Sequence, residues 1–392
     1  MSIWFEQAGL VARNERLNAF TAFDPDSAPG DGGLSDVAVG VKANIMVRGL
    51  PWHAGLHAWR DRTAPRDAGI VARLREAGAA IIGTCNMDEA GLGAKGDNPW
   101  FGAVQNPHRA GWSTGGSSCG SAAAVAAGLC EVALGTDSMG SARIPASHCG
   151  VYAFKPAPER ISADGIQPVD PALDAASVIA RNVSLLGRVG RVISIFGEED
   201  CGDAGATLSA HGFSLQPAVE AAFDHALDSL PRRPVAVRLN HRNDRIRLAC
   251  FVQLVRTLGP GLTGVSTSPR VARLVEFGAN RSPSDWHVDQ AVLAETRRQL
   301  ADIVARHGFI VMPTVPIPPV PLSAPEPVSQ ADFTCLANIA RLPALSLPMG
   351  WTDDGLPLGI QLVVASGCEV RLFRIAERLD LDLQAFRSPR PS

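Results

Sequence analysis

Residues 120–129, GSAAAVAAGL, narrow what this chain can become more than any other segment. A helix built almost wholly from Ala, Gly and Ser has little large apolar surface and no charged face. It is stable only where neighbours pack closely against it, so it belongs to a buried layer. The loop at 98–120, dense in Gly, Pro, Asn and Ser, feeds it. A strand (EVALGT, 131–136) and a second glycine-bearing turn at 137–143 follow. Upstream, Val37–Val41 reads as a strand ending on Lys42, 68–78 as an amphipathic helix, and 79–84 as a short buried strand. Residues 151–156 form one more strand, stopped by proline. Helix–strand alternation with short connections predicts an α/β layered fold.

The remaining chain extends that pattern. Residues 10–24 read as a short helix, and amphipathic helices at 217–229 and 288–306 suggest a peripheral layer over about 200–310. HGFIVMPTVP is a buried strand with a proline-rich exit. FTCLANIARLPALSLPMG then leads to a strand (LGIQLVV) and a closing helix at 370–381. No repeat or linker divides the 392 residues, so one domain over 1–392 is expected. A net charge of −3 gives no reason to expect a nucleic-acid partner. No signal-peptide pattern and no apolar run of about 18 residues is visible, so no membrane association is expected. None of the eight cysteines forms C-x-x-C and most sit in apolar segments. Buried reduced thiols, and with them a cytoplasmic location, are the expectation.

Three elements carry the chemistry: the strand ending on Lys42, the loop Gly115–Gly120, and the turn Gly135–Ser141. Glycines let backbone N–H groups converge on one point, as an oxyanion hole requires. Taken singly, each has a plainer reading as an N-cap loop, a snorkelling charge or an anion nest. Composition tips the balance. Of 36 basic residues only Lys42, Lys95 and Lys155 are lysines, and a retained lysine can release a proton where arginine cannot.

NPHRAGWSTGGSSCGSAAAVAAG followed by ALGTDSMGSARIPASHCGVYAFKP resembles the amidase-signature hydrolases. So do VGVKANI, RLREAGAAIIGTCNMDE and LPALSLPMGWTDDGLPLGIQLV. The likeness covers about 37–182 and 308–380, leaving 200–300 as a variable helical region. It implies an amidase-signature fold, a large mixed β-sheet covered by helices on both faces. It also implies a Ser–cis-Ser–Lys triad, with Lys42 as base, Ser117 after a cis peptide bond as proton relay, and Ser141 as nucleophile. Backbone N–H groups of Ser138, Met139, Gly140 and Ser141 would hold the oxyanion. The reaction implied is hydrolysis of an amide C–N bond through an acyl-enzyme, with no cofactor and no metal. A small-molecule amide, a carboxamide or ureido compound, is the expected substrate, and a homodimer would be unsurprising. Lys42 stands fewer residues from the start than the family's lysine, so an initial helix is expected to be missing. Ala43, Thr114, Cys119, Met139, Ala172 and Ser177 depart from the family's usual residues, with Asp174 retained.

Other readings are weaker. Gly116-Ser117-Ser118-Cys119-Gly120 satisfies G-x-S-x-G with Ser118 as nucleophile, but a polar loop stands where that motif needs a strand. Cys119 reads as a small buried thiol. His53 and His57 could share a helical face but lack a third ligand. GRVGRV at 187–192 lacks the third glycine of a dinucleotide fingerprint. The stretch around Asn86-Met87-Asp88-Glu89 also resembles the glutaminase subunit of the tRNA-dependent amidotransferase. An amidotransferase-type or acyl-transfer role therefore stands beside simple hydrolysis.

Overall fold

The computed structural model describes residues 7–389 apart from 200, 203 and 210. Its strands are β1 (Phe20–Phe23), β2 (Ala38–Lys42), β3 (Ala80–Cys85), β4 (Asp97–Asn98), β5 (Gly102–Ala103), β6 (Val132–Asp137), β7 (Tyr152–Lys155) and β8 (Ala175–Ala180). After them come β9 (Ala206–Leu208), β10 (Val235–Val237), β11 (Phe309–Pro313), β12 (Ala344–Trp351) and β13 (Pro357–Val364). Eleven of them form one mixed sheet in the order β1-β3-β2-β6-β8-β7-β12-β13-β11-β9-β10, while β4 and β5 pair separately. β12 and β13, from the end of the chain, lie in the middle of that sheet.

Side-chain alternation divides the strands between two faces. On one, Val39 and Val41 of β2, Val132 and Leu134 of β6, and Leu358, Ile360 and Leu362 of β13 share a core of large aliphatic residues. Helices α2 (Gly69–Glu76), α5 (Val183–Ile193), α6 (Pro217–Asp228) and α11 (Glu369–Leu383) contribute to it. On the other face lie α3 (Cys119–Ala126) and α4 (Arg143–Cys149), whose core neighbours are mostly Ala and Cys. Small residues allow close approach: a Cβ at Gly120 would lie 2.3 Å from the Ala19 carbonyl oxygen and 2.6 Å from backbone atoms of Asn86. The helical part of the segment read first from the sequence, 120–126, is thus buried on every side, as its composition requires, and only Ala127 and Gly128 just beyond it are half-buried. A further core joins α7 (Asn243–Leu258), α8 (Pro269–Ala279), α9 (Pro283–His307) and α10 (Thr334–Ile339) over Ile310 and Met312 of β11.

Two expectations are corrected. The helix expected over 10–24 is α1 (Gln7–Leu17), and the chain then turns at Asn18, with φ of 56°, into β1. Cys201 and Cys368 form a disulfide with Cα atoms 6.2 Å apart, contrary to a fully reduced set. The other six cysteines are free and buried. Because disulfides persist chiefly in oxidising surroundings, cysteine usage does not point to the cytoplasm. Among the described residues no helix is long and apolar enough to cross a membrane.

Candidate active site

β2 and β6 run parallel with Val41 beside Leu134, so Lys42 and the Thr136-Asp137 pair emerge at the same sheet edge. Lys42 is fully buried; its Nζ donates to Ser117 Oγ at 2.8 Å and to Thr136 Oγ1 at 2.9 Å. Loss of hydration lowers its pKa from 10.5 to about 8, despite the opposing pull of Asp88, Asp137 and Asp174. Asn44 donates from Nδ2 to the same Thr136 hydroxyl at 3.2 Å, fixing it between two nitrogen donors. All three lysines are buried. Lys155, also fully so, is lowered to about 7 by desolvation, while Lys95 pairs with Asp97 at 2.9 Å.

Ser117 stands just before α3, buried, after a cis Gly116–Ser117 peptide bond, the form the family resemblance implies. Only glycine fits before it, since a Cβ at Gly116 would lie 1.8 Å from Asp88 Oδ2. That carboxylate accepts from the N–H groups of Gly96 and Asp97, each at 3.1 Å, and burial raises its pKa to about 7.

The turn after β6 is organised by Asp137. Its carboxylate accepts from the N–H of Gly140 at 2.8 Å and of Ala142 at 3.3 Å, and from Arg143 Nε at 2.9 Å and Nη2 at 2.8 Å. Both side chains are fully buried. Burial alone would raise the Asp137 pKa, but the Arg143 charge outweighs it and holds the carboxyl well below the usual carboxylate range. Arg143 is completed by Asn338 Oδ1 at 2.6 Å and Gln361 Oε1 at 2.8 Å, and Asn338 Nδ2 donates to the Asp137 carbonyl at 2.8 Å. Gly140 adopts φ of +122°, and a Cβ there would lie 2.1 Å from Thr334 Oγ1, which donates to the Met139 carbonyl at 2.7 Å.

The Gly140 N–H is committed to Asp137, whereas those of Ser138, Met139 and Ser141 carry no hydrogen bond among the described residues. These three N–H groups are thus uncommitted. The Ser138 hydroxyl donates to Asp174, whose other oxygen accepts from the N–H groups of Val169 and Asp170; burial nonetheless raises Asp174 to about 6.

Ser141 is partly exposed to a cavity of about 330 Å³ that Met139, Ile144, Phe251 and Leu254 also line. Its carbonyl accepts from the Ser118 N–H at 2.9 Å, which ties the two serine-bearing turns together. Lys42 and Ser117 are bonded directly. Among the described residues no hydrogen bond joins the Ser117 and Ser141 hydroxyls, a contact that in hydrolases commonly tightens when substrate binds.

The competing residues are engaged elsewhere. Ser118 is buried, its hydroxyl donating to the Thr136 carbonyl at 3.2 Å. Burial raises the Cys119 thiol well above its ordinary pKa, which disfavours the thiolate. His53 stacks on Phe101, and only His57 lies in a helical turn, so the two share no helical face. GRVGRV lies inside α5. Sequence reasoning missed Asn44, Thr136, Arg143 and Asn338 as site residues. The first two lie within motifs already singled out, beside Lys42 and Asp137. Asn338 stands 201 positions from Asp137 and gave no local signal.

Comparison with known proteins agrees with this frame. The amidase family model matches residues 11–204 and 198–373. A glutamyl-tRNA(Gln) amidotransferase subunit of Treponema pallidum is 30% identical over 96% of this chain and 88% of its own length. Amidase 1 of Oryza sativa subsp. japonica is 29% identical over 84% of this chain and 85% of its own. A crystal structure of an amidase superposes with a TM-score of 0.84 at 25% identity, covering 96% of this chain and 95% of that one. With the family model spanning most of its length, this chain belongs to the amidase family of C–N hydrolases.

Proposed function

We propose that the protein hydrolyses a small, uncharged carboxamide or ureido compound through an acyl-enzyme formed on Ser141. The observation that carries this reading is the buried lysine: Lys42 Nζ has a lowered pKa and sits 2.8 Å from Ser117 Oγ. Neutral Lys42 takes the Ser117 proton while Ser117 takes that of Ser141, whose oxygen attacks the amide carbon. The N–H groups of Ser138, Met139 and Ser141 receive the developing oxyanion. The relay then runs backward and protonates the departing nitrogen. Water enters by the same route and releases the carboxylate.

A fluorophosphonate probe followed by peptide mapping tests the assignment. Label is expected on Ser141 and absent from Ser141→Ala, whose turnover falls at least about 10⁴-fold. Label on Ser118, or an active Ser141→Ala variant, overturns it. The amidotransferase relatives favour a second reading, in which the same site supplies ammonia to a partner protein. Ammonia release by the isolated chain from a simple carboxamide decides for hydrolysis; release only with a partner decides for the second reading.

A further inference from the structure

The cavity at Ser141 has walls of two kinds. Residues 91–94 and Gly116 line part of it with glycine-rich backbone. That part cannot retreat. An added Cβ would lie 2.7 Å from Asp88 Cγ at Gly93 and 1.8 Å from Asp88 Oδ2 at Gly116, so both already press on this buried side chain. Met139 supplies the other kind. It stands two positions before Ser141 in the same turn, is half-buried, and lines the cavity with it. Its side chain packs against the apolar cluster to which Leu92 and Leu254 belong, and both of these line the same cavity. The backbone that carries it is pinned on both sides. The Met139 carbonyl accepts from Thr334 Oγ1 at 2.7 Å, and the next N–H donates to Asp137 at 2.8 Å. The thioether therefore cannot swing clear with its backbone; only its own torsions can move it. Charges on the lining are matched, Arg247 by Asp332 and Arg270 by Glu326, so nothing there calls for a charged acyl group.

We infer that Met139 is a specificity-determining residue that sets how thick an acyl group Ser141 can receive. It admits an unbranched aliphatic chain and turns away one branched at the carbon beside the carbonyl. An acyl carbon bonded to Ser141 Oγ lies beside the turn that bears Met139, so the first carbon of the acyl chain passes along the thioether. A straight chain can lie between that side chain and the rigid glycine-rich wall, since an unbranched thioether shifts by rotation about single bonds. A quaternary carbon is too thick for this, and with one wall fixed it must overpack the other. The substrate class is therefore a neutral carboxamide with a straight aliphatic acyl chain. This inference rests on the amide hydrolysis proposed above and names its substrate class.

Two isomeric carboxamides test it, pentanamide and pivalamide, which differ in shape but not in composition. The wild-type enzyme is expected to favour pentanamide in kcat/KM. In Met139→Ala the ratio of pivalamide to pentanamide should rise about tenfold or more, with pivalamide gaining in absolute rate. Met139→Leu, which nearly conserves volume, should keep the wild-type ratio within about threefold. Comparing ratios between enzymes cancels the lower intrinsic reactivity of the branched amide. A merely structural role for Met139 would lower both isomers alike and leave the ratio unchanged, which would overturn the inference. So would a wild-type enzyme that cleaves pivalamide as readily as pentanamide, a measurement that needs no variant. If Ser141 takes the fluorophosphonate label but neither isomer is cleaved, this inference alone fails. If Ser141 takes no label, the hydrolytic reading and the inference fall together.

Discussion

The α3–α4 side of the sheet and the helical region spanning α7–α9 are built on opposite rules. Around α3 the neighbours are Ala, Gly, Cys and Ser, and backbone packs on backbone. In the helical region Ile246, Leu254, Val292 and Leu300 pack through long side chains that can readjust. The first kind of packing fixes atoms to within tenths of an ångström, as an oxyanion turn demands, and tolerates almost no substitution. The second fills volume and leaves the sequence free to vary. Such tolerance suits a region that shapes a pocket wall, because specificity can change there without disturbing Lys42, Ser117 or Asp137.

The sharpest way to break this contrast is Asp137→Asn. It leaves the Arg143 guanidinium fully buried without its counter-charge, and should cost about 3–5 kcal/mol in chemical denaturation. A loss under about 1 kcal/mol would show that the turn is held by something else. Gly120→Ala comes next. Its new methyl meets only backbone, of Ala19 and Asn86, so about 3 kcal/mol should be lost by the same measurement. Third, kcat/KM should rise about tenfold per pH unit and level off near pH 8, as Lys42 reaches its neutral form. The sign for stability agrees. Between about 8 and 10.5 the unfolded chain holds the Lys42 proton and the folded chain does not, so this group favours folding increasingly as pH rises through that window. A flat profile across pH 7–9 would remove Lys42 as the base. The smallest effect belongs to the other region: at Gly261 an added Cβ meets nothing within 4 Å, and Gly261→Ala should shift stability by less than about 0.5 kcal/mol. A large loss there would erase the distinction.

The same contrast explains what could be read from the sequence. The buried helix and the strand ending on Lys42 were legible because each rests on local chemistry, small residues and strand periodicity, whereas Ser117 and Ser141 were singled out within their glycine-rich turns by the family resemblance. The scarcity of lysine was informative as well, since all three prove to be buried. Arg143 was not legible, because an arginine in a small-residue helix looks like a surface charge until Asp137, Asn338 and Gln361 surround it. β9 and β10, three residues each at the sheet edge, are too short to show a period. β1 fell inside the helix expected over 10–24 because its Phe and Ala residues prolong the apolar pattern in the sequence, whereas the chain has already turned at Asn18. The Cys201–Cys368 bridge joins residues 167 positions apart and left no spacing to recognise.

The central place of β12 and β13 in the sheet has a consequence for biosynthesis. A nascent chain that has passed residue 182 already carries Lys42, Ser117 and Ser141, yet Asn338 and Gln361, which complete the Arg143 clamp, are still untranslated. The turn that carries Ser141 is therefore made long before the partners of its neighbour Arg143 exist. A product truncated before residue 338 would lack both of these Arg143 partners and the two strands at the middle of the sheet.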